Sequence, residues 1–221
     1  MRLKITTAVI ALVLVAGAGV AAATVVIYSN DFSSRKEFRS VQKFEGGKPC
    51  RKFWRDKRTF GVEVRSGPLQ CDFRTPLSGD AKEPDHEIEA AATVLDSTSK
   101  GARRDAYVGV AVRADKSSRY ELRVFPDTRT FELRRRPGGG EFPIRGTSEA
   151  IARTGKENQL KLRAFGDRIT ALVNKTRVVP EVVDPNPDDL NGRKTLIVAG
   201  HGGSSGKRVE GSFSDVRIRL P

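Results

Sequence analysis

Three carboxylates, Asp85, Glu87 and Glu89, alternate with His86 and Ile88 in a stretch that reads as a β-strand, so all three should project from one face. Same-face neighbours on a strand stand roughly 6–7 Å apart, and side-chain lean brings two carboxyls to the ~5–5.5 Å of a retaining glycosidase, one as nucleophile and one as acid. The plainer reading is an outward acidic stripe opposite Ile88, Ala90 and Ala92. A second set is basic. Arg123, Arg134, Lys161 and Arg163 take the charged parity of strands that would be sheet neighbours, and guanidinium forks suit the carboxylates or phosphates of an anionic glycan. Glu121 and Glu132 neutralise part of that stripe, as they would on an ordinary solvated face. Trp54, the sole tryptophan, lies four residues from Cys50 and is read as a sugar-stacking ring at a rim or as a packing plug. Asp31 and Asp215 offer oxygens to a structural calcium if the chain ends pair, and otherwise act as strand caps. His86 and His201 show no serine or aspartate pattern for a nucleophile triad and are read as surface residues.

Location follows from the first thirty residues. Arg2 and Lys4 precede an uncharged run over residues 5–30 that includes Ala21-Ala22-Ala23, the pattern of a signal peptide cut before Thr24. An uncleaved anchor helix with its N-terminus in the cytoplasm is the alternative, and both put residues 24–221 outside. Cys50 and Cys71 are then an even pair in an oxidising compartment and are expected to form a disulfide. Zinc is excluded because neither cysteine has a second ligand at metal spacing. The chain has 40 Lys and Arg against 27 Asp and Glu, a charge of +13. Loss of Arg2 and Lys4 leaves 38 against 27, or +11, so the excess belongs to the body and favours anionic envelope polymers or headgroups. Nucleic acid is not expected, since aromatics are sparse beside the arginines and no DNA-binding motif occurs.

The elements that must carry these residues are β-strands. Period-two alternation, broken by Gly, Pro, Asn and Asp, predicts strands at 61–65, 69–74, 85–95, 106–113, 119–125, 130–135, 159–165, 168–174, 194–200 and 211–220. Val25 to Tyr28 is expected to begin the first strand. In Tyr120-Glu121-Leu122-Arg123-Val124 apolar and charged residues take opposite parities, so each strand has one wet face. With no helical period between the strands, the expected architecture is all-β, a two-sheet antiparallel jelly-roll sandwich over 24–221, preceded by a hydrophobic helix over 1–23. Residues 36–59, 138–140, 184–189 and 201–206 are expected to be loops.

The run Asn158-x-Leu160-x-Leu162, Gly166-Asp167-x-Ile169 and Val173-Asn174 resembles a hairpin of the concanavalin A-like lectin/glucanase superfamily, nearest its 3-keto-disaccharide hydrolase-type and laminin G-like branches. Asn30-Asp31-Phe32-Ser33 resembles the opening strand of that family, Gly61 to Leu69 a hairpin, Tyr107 to Arg113 an inner strand and Phe213 to Ile218 the closing strand. Lys175 stands where the family usually has glycine after Asn174, and Gly61-Val62-Glu63 lacks the usual tryptophan. The strand at Asp85 resembles the E-x-D-x-x-E strand of laminarinase-type glucanases, but its order is D-x-E-x-E. The resemblance implies the sandwich fold for nearly the whole body; it spans binding modules and enzymes alike, so it implies shape before activity.

Together these readings give an exported or membrane-anchored module that binds a glycan or anionic cell-envelope polymer without clear catalytic residues. The alternatives are a hydrolase of a (3-keto-)glycoside using Asp85, Glu87 and Glu89, and an extracytoplasmic protein-interaction scaffold. No cofactor is required in any of them.

Overall fold

The computed structural model describes residues 25–46, 48–56, 58–65, 69–76, 84–137, 142–203 and 207–220. The expected N-terminal helix over 1–23 and the loop tip at 138–140 lie outside the described residues. Among the described residues no helix is long and apolar enough to cross a membrane.

The chain runs through β1 (Val25–Asn30), α1 (Arg35–Ser40), β2 (Gln42–Glu45), β3 (Cys50–Arg55), β4 (Thr59–Val64), β5 (Gln70–Arg74) and β6 (His86–Val94). It continues through β7 (Ala106–Ala114), β8 (Arg119–Phe125), β9 (Thr130–Arg136), β10 (Ile144–Thr147), β11 (Asn158–Phe165) and β12 (Arg168–Val173). β13 (Thr176–Val183), β14 (Lys194–His201) and β15 (Val209–Leu220) complete it. Among the described residues, one sheet, here sheet A, has the order β13-β12-β11-β6-β15-β4-β3, with β1 also paired to β15. The other, sheet B, has the order β10-β9-β8-β7-β14-β5-β2. All pairings are antiparallel. This is the two-sheet sandwich the alternation predicts.

The inner parities meet in one core. Ile88, Ala90 and Ala92 of β6, Leu160 and Leu162 of β11, Val108 and Val110 of β7, and Leu122 and Val124 of β8 are fully buried in it. Burial of this kind contributes about 25 cal/mol per Å² of apolar surface removed from water. The opposite parities form the two outer faces of the sandwich, and the candidate chemistry lies there.

Five elements depart from the strand reading. Residues 36–59, expected as a loop, contain α1, β2 and β3. Ser34 and Glu37 form a reciprocal capping box that starts α1, and the Lys52 ammonium donates to the Phe38 and Arg39 carbonyls of its last turn and to the Val41 carbonyl at its C-cap. β3 is an edge strand whose run of cations hides its alternation. β10 is only four residues long, and β13 carries Pro180, which an edge strand tolerates because one side of its backbone is unpaired.

Cys50 and Cys71 are bonded, with Cα atoms 5.6 Å apart and a sequence separation of 21. Because Cys50 lies on β3 of sheet A and Cys71 on β5 of sheet B, the bond staples the two sheets. The double variant Cys50→Ser/Cys71→Ser is expected to lose about 3 kcal/mol, read from urea unfolding of oxidised wild type against the variant. A loss under about 1 kcal/mol would show that the staple closes a loop already constrained by packing.

Candidate functional site

On the outer face of sheet A, register sets acids and bases side by side. Arg219 of β15 pairs with Glu87 of β6 and Glu87 with Arg163 of β11, while Arg217 pairs with Glu89 and Glu89 with Lys161. One Arg219 nitrogen reaches Glu87 at 2.6 Å and Glu89 at 2.8 Å, and the Lys161 ammonium stands 3.4 Å from each. Burial alone would raise the Glu89 carboxyl, but Arg219 and Lys161 outweigh it and hold Glu89 below the usual carboxylate range. That is the wrong direction for a general acid. Asp85 does not join the pair. It precedes β6, takes a hydrogen bond from Arg113 and accepts from the Gly166 amide at 3.0 Å. The three carboxylates are thus one clamped pair and one loop anchor.

The four cations expected on one platform divide between the sheets. Arg123 and Arg134 stand on the outer face of sheet B, Lys161 and Arg163 on that of sheet A. Arg163 stacks over Phe165 with 4.0 Å to the ring centroid. Parity identified the outward side of each strand but not which sheet it belongs to.

Trp54 is half-buried on β3, donates to the Phe32 carbonyl at 3.2 Å and carries the Arg35 guanidinium over its ring, so its packing contacts are the ones on view. β1 does pair with β15, and the register Asn30 to Val216 leaves Asp31 and Asp215 just past it. Asp31 already accepts from the Ser33 amide, and among the described residues no group of three or more His, Cys, Asp or Glu gathers to hold a metal. Both histidines are buried rather than at the surface. His86 shares the core parity of β6, and burial lowers its imidazole pKa; His201 accepts from the Gly203 amide at 2.9 Å.

Sheet B presents a different outer face. One row crosses six strands as Asp72, Val198, Gly109, Arg123, Glu132 and Arg145, each the register partner of the next. The row beside it runs Arg74, Leu196, Ala111, Glu121, Arg134. The two middle strands carry uncharged residues there, Gly109 and Ala111 on β7 and Leu196 and Val198 on β14, and long side chains from β5 and β8 lie across them. A Cβ on Gly200 would strike the Tyr107 ring, and one on Gly109 the Leu122 carbonyl. Glycine at these places lets the layer settle against the sheet.

In that layer Arg119 lies 2.7 Å from Asp72, 2.9 Å from Glu121 and 3.4 Å from Glu45. Gln70 donates its amide to Asp72 at 2.6 Å and to Glu121 at 2.9 Å. Arg123 bonds to Glu121 and to the Gln70 carbonyl oxygen and lies over Tyr107, 4.5 Å from its centroid. Asp72 is 1% exposed, Glu121 2% and Arg119 4%. Burial, with Glu121 adding to it and Arg119 opposing, pushes the Asp72 carboxyl up to about 6. Burial would also raise Glu121, but Arg123 and Arg119 outweigh it and hold that carboxyl low.

Above the layer opens a groove of about 690 Å³ whose walls include Arg104, Arg123, Phe125, Glu132, Arg134 and Arg145. A smaller basin of about 240 Å³ adjoins it, lined by Gln70, Arg119, Glu121, Arg123, Arg134 and Arg136, so Arg123 and Arg134 border both. Glu132 accepts from Arg145 at 2.7 and 2.9 Å. Arg104 and Arg134 are exposed and have no ion-pair partner among the described residues. Phe125, half-buried and packed at a tilt against Tyr107 with 5.3 Å between ring centroids, offers the groove an aromatic edge or face. Of these residues sequence reading had singled out Arg123 and Arg134. Gln70, Asp72 and Tyr107 were missed, although their outward parity on β5 and β7 was a usable signal.

No protein-family model matches the chain, and no curated protein sequence matches it. Solved structures do. A Bacillus subtilis protein of unknown function with a galectin-like fold is 10% identical, covers 88% of this chain and 96% of its own, and has a TM-score of 0.59. The β-glucanase of Bacillus licheniformis is 9% identical over 86% of this chain and 96% of its own, with a TM-score of 0.60. The laminarinase catalytic domain of Thermotoga maritima is 10% identical over 90% and 98%, with a TM-score of 0.58. The chain therefore shares the two-sheet jelly-roll fold of these structures, the fold that the sequence resemblance implies.

Asp72 also makes stability depend on pH with a defined sign. Its folded pKa lies above the value near 3.9 of an unfolded aspartate, so between about pH 4 and 6 the folded state holds a proton that the unfolded state has released. Stability attributable to Asp72 therefore falls as pH rises through that window, by on the order of 2 kcal/mol. Wild type minus Asp72→Asn, measured by urea unfolding from pH 4 to 7, is expected to decline with pH. A flat or rising difference would show that Arg119 already holds Asp72 ionised.

Proposed function

We propose that this chain is an exported or membrane-anchored module that binds a glycan or anionic envelope polymer in the groove on sheet B. The observation that carries the reading is the groove itself, where the guanidiniums of Arg104 and Arg134, without ion-pair partners among the described residues, border the same space as the Phe125 ring. An aromatic ring offers a surface to a pyranose face, and free guanidinium forks offer paired donors to hydroxyls or acid groups. Arg123 and Arg145, fixed by Glu121 and Glu132, are presented already ordered. The glucanase and laminarinase that share the fold are named for action on glycans, which supports a glycan over a protein as the occupant. Residues 1–23 would supply export or anchoring.

Hydrolysis is the second reading, and one observation favours it. Asp72 and Glu121 stand in environments that push their carboxyls apart, as an acid and its partner require. Against it, Asp72 is buried and does not line the groove, and Glu87 and Glu89 on the other sheet are clamped by Arg219 and Lys161.

The test is a binding screen of the oxidised full chain against soluble envelope glycans at two salt concentrations, with released sugar assayed in the same wells. Phe125→Ala and Arg134→Gln are each expected to weaken binding about tenfold, Arg134→Gln also flattening its salt dependence, while Arg163→Gln on sheet A leaves it unchanged. Sugar release abolished by Asp72→Asn or Glu121→Gln would replace binding with hydrolysis. Binding insensitive to both groove variants would remove the groove from the function.

A further inference from the structure

A second cavity lies on the opposite side of the sandwich, about 440 Å³ on the outer face of sheet A, lined by Gln159, Lys161, Leu172, Lys175, Asp215 and Arg217, with Glu89 beside them. Two independent backbone irregularities converge on it. The first is the β12–β13 turn, where Val173 pairs with Thr176 and the two residues between have φ of 50° at Asn174 and 67° at Lys175. Such a turn asks for asparagine then glycine, since a Cβ is disfavoured in left-handed backbone. Asn174 suits its place and is held there: its oxygen accepts from the Gln159 amide at 2.7 Å, and its nitrogen donates to the Ala150 carbonyl at 2.7 Å and to Asn158 at 3.0 Å. Lys175 carries the strain, and its ammonium has no hydrogen-bond or ion-pair partner among the described residues. The second irregularity is a bulge in β15, where Ser214 pairs with Ala91 and Arg217 with Glu89, so Asp215 and Val216 together face one residue of β6. Asp215 there has φ of 47°. Bulges of this kind re-aim side chains next to binding sites.

We propose that this cavity is a second binding site, separate from the sheet B groove, for a small sugar carrying one acid group. Lys161 is already answered by Glu87 and Glu89 at 3.4 Å, which leaves Lys175 and Arg217 as cations on its rim without partners among the described residues. They take the acid group, carboxylate or phosphate. Asp215 and Gln159 accept from and donate to hydroxyls, and the half-buried Leu172 side chain faces the ring. The strain at Lys175 then has a physical return: a glycine there folds better but leaves the site short of a charge.

That trade-off is the experiment. Full-length protein is titrated with glucuronate, glucose 6-phosphate, glucose and inorganic phosphate, following backbone amides at 159–161, 172–176 and 214–217 by NMR, beside a thermal melt of each variant. Expected are shifts with either sugar acid and none with glucose. Lys175→Gly is expected to raise Tm by about 2–4 °C while weakening sugar-acid binding at least fivefold. Lys175→Arg should keep binding at wild-type Tm, and Arg217→Gln should weaken binding with little change in Tm. A more stable Lys175→Gly that binds as well as wild type would overturn the site, as would the absence of any shift at these amides in wild type. Inorganic phosphate binding as tightly as glucose 6-phosphate would overturn its assignment to a sugar. None of these readings depends on the sheet B groove, which Phe125→Ala tests separately.

Discussion

The outer face of sheet B depends on one requirement, that a charge taken out of water be paired. Arg119 is almost fully buried, and Asp72, Glu121 and Glu45 converge on its guanidinium from β5, β8 and β2. Desolvating such groups costs several kcal/mol each, so none can stray without stranding another. The network therefore adds little net stability over an apolar layer but fixes geometry across strands that are not neighbours. It exists because β7 and β14 between them present Gly109, Ala111, Val198 and Gly200, which leave room for long side chains to lie flat. Arg123, bonded to Glu121 and Gln70 and stacked on Tyr107, is the part of this layer that surfaces in the groove.

Alternation made the sandwich legible because the core selects one parity on every strand, and every strand read from 61 onward is present. It failed where a different rule governs the residues. β3 and β13 are edges, free to carry cations or Pro180, and α1 is too short to show a helical period. His86 shows the same rule from the other side, since its core parity was a better guide to burial than its polarity.

The site was harder to read than the fold. Parity says that Arg119, Glu121 and Arg123 point outward, and outward was taken to mean wet. Whether an outer face is dry depends on what lies across it from other strands, and Asp72 and Gln70 come from about fifty residues earlier in the chain. Register, which one sequence does not contain, decided that Arg123 and Arg134 share a face while Lys161 and Arg163 occupy the other. Asp85, Glu87 and Glu89 show the converse. Their spacing was read correctly on β6, but β15 and β11 supply Arg219 and Lys161 to neutralise two of them, and Arg113 holds the third.

The preference for recognition over hydrolysis in the proposed function rests on how acidity and access are coupled here. A general acid at neutral pH must hold a proton and touch the leaving oxygen. On sheet A, Glu87 and Glu89 share the cations that hold Glu89 low. In the groove Glu132 is bonded to Arg145. Asp72 alone is pushed toward neutrality, and the burial that raises it is the same burial that withdraws it from the groove. What the groove presents is thus the guanidiniums of Arg104 and Arg134, without ion-pair partners among the described residues, and the Phe125 ring, and it is on these rather than on an accessible acid that the proposed binding rests.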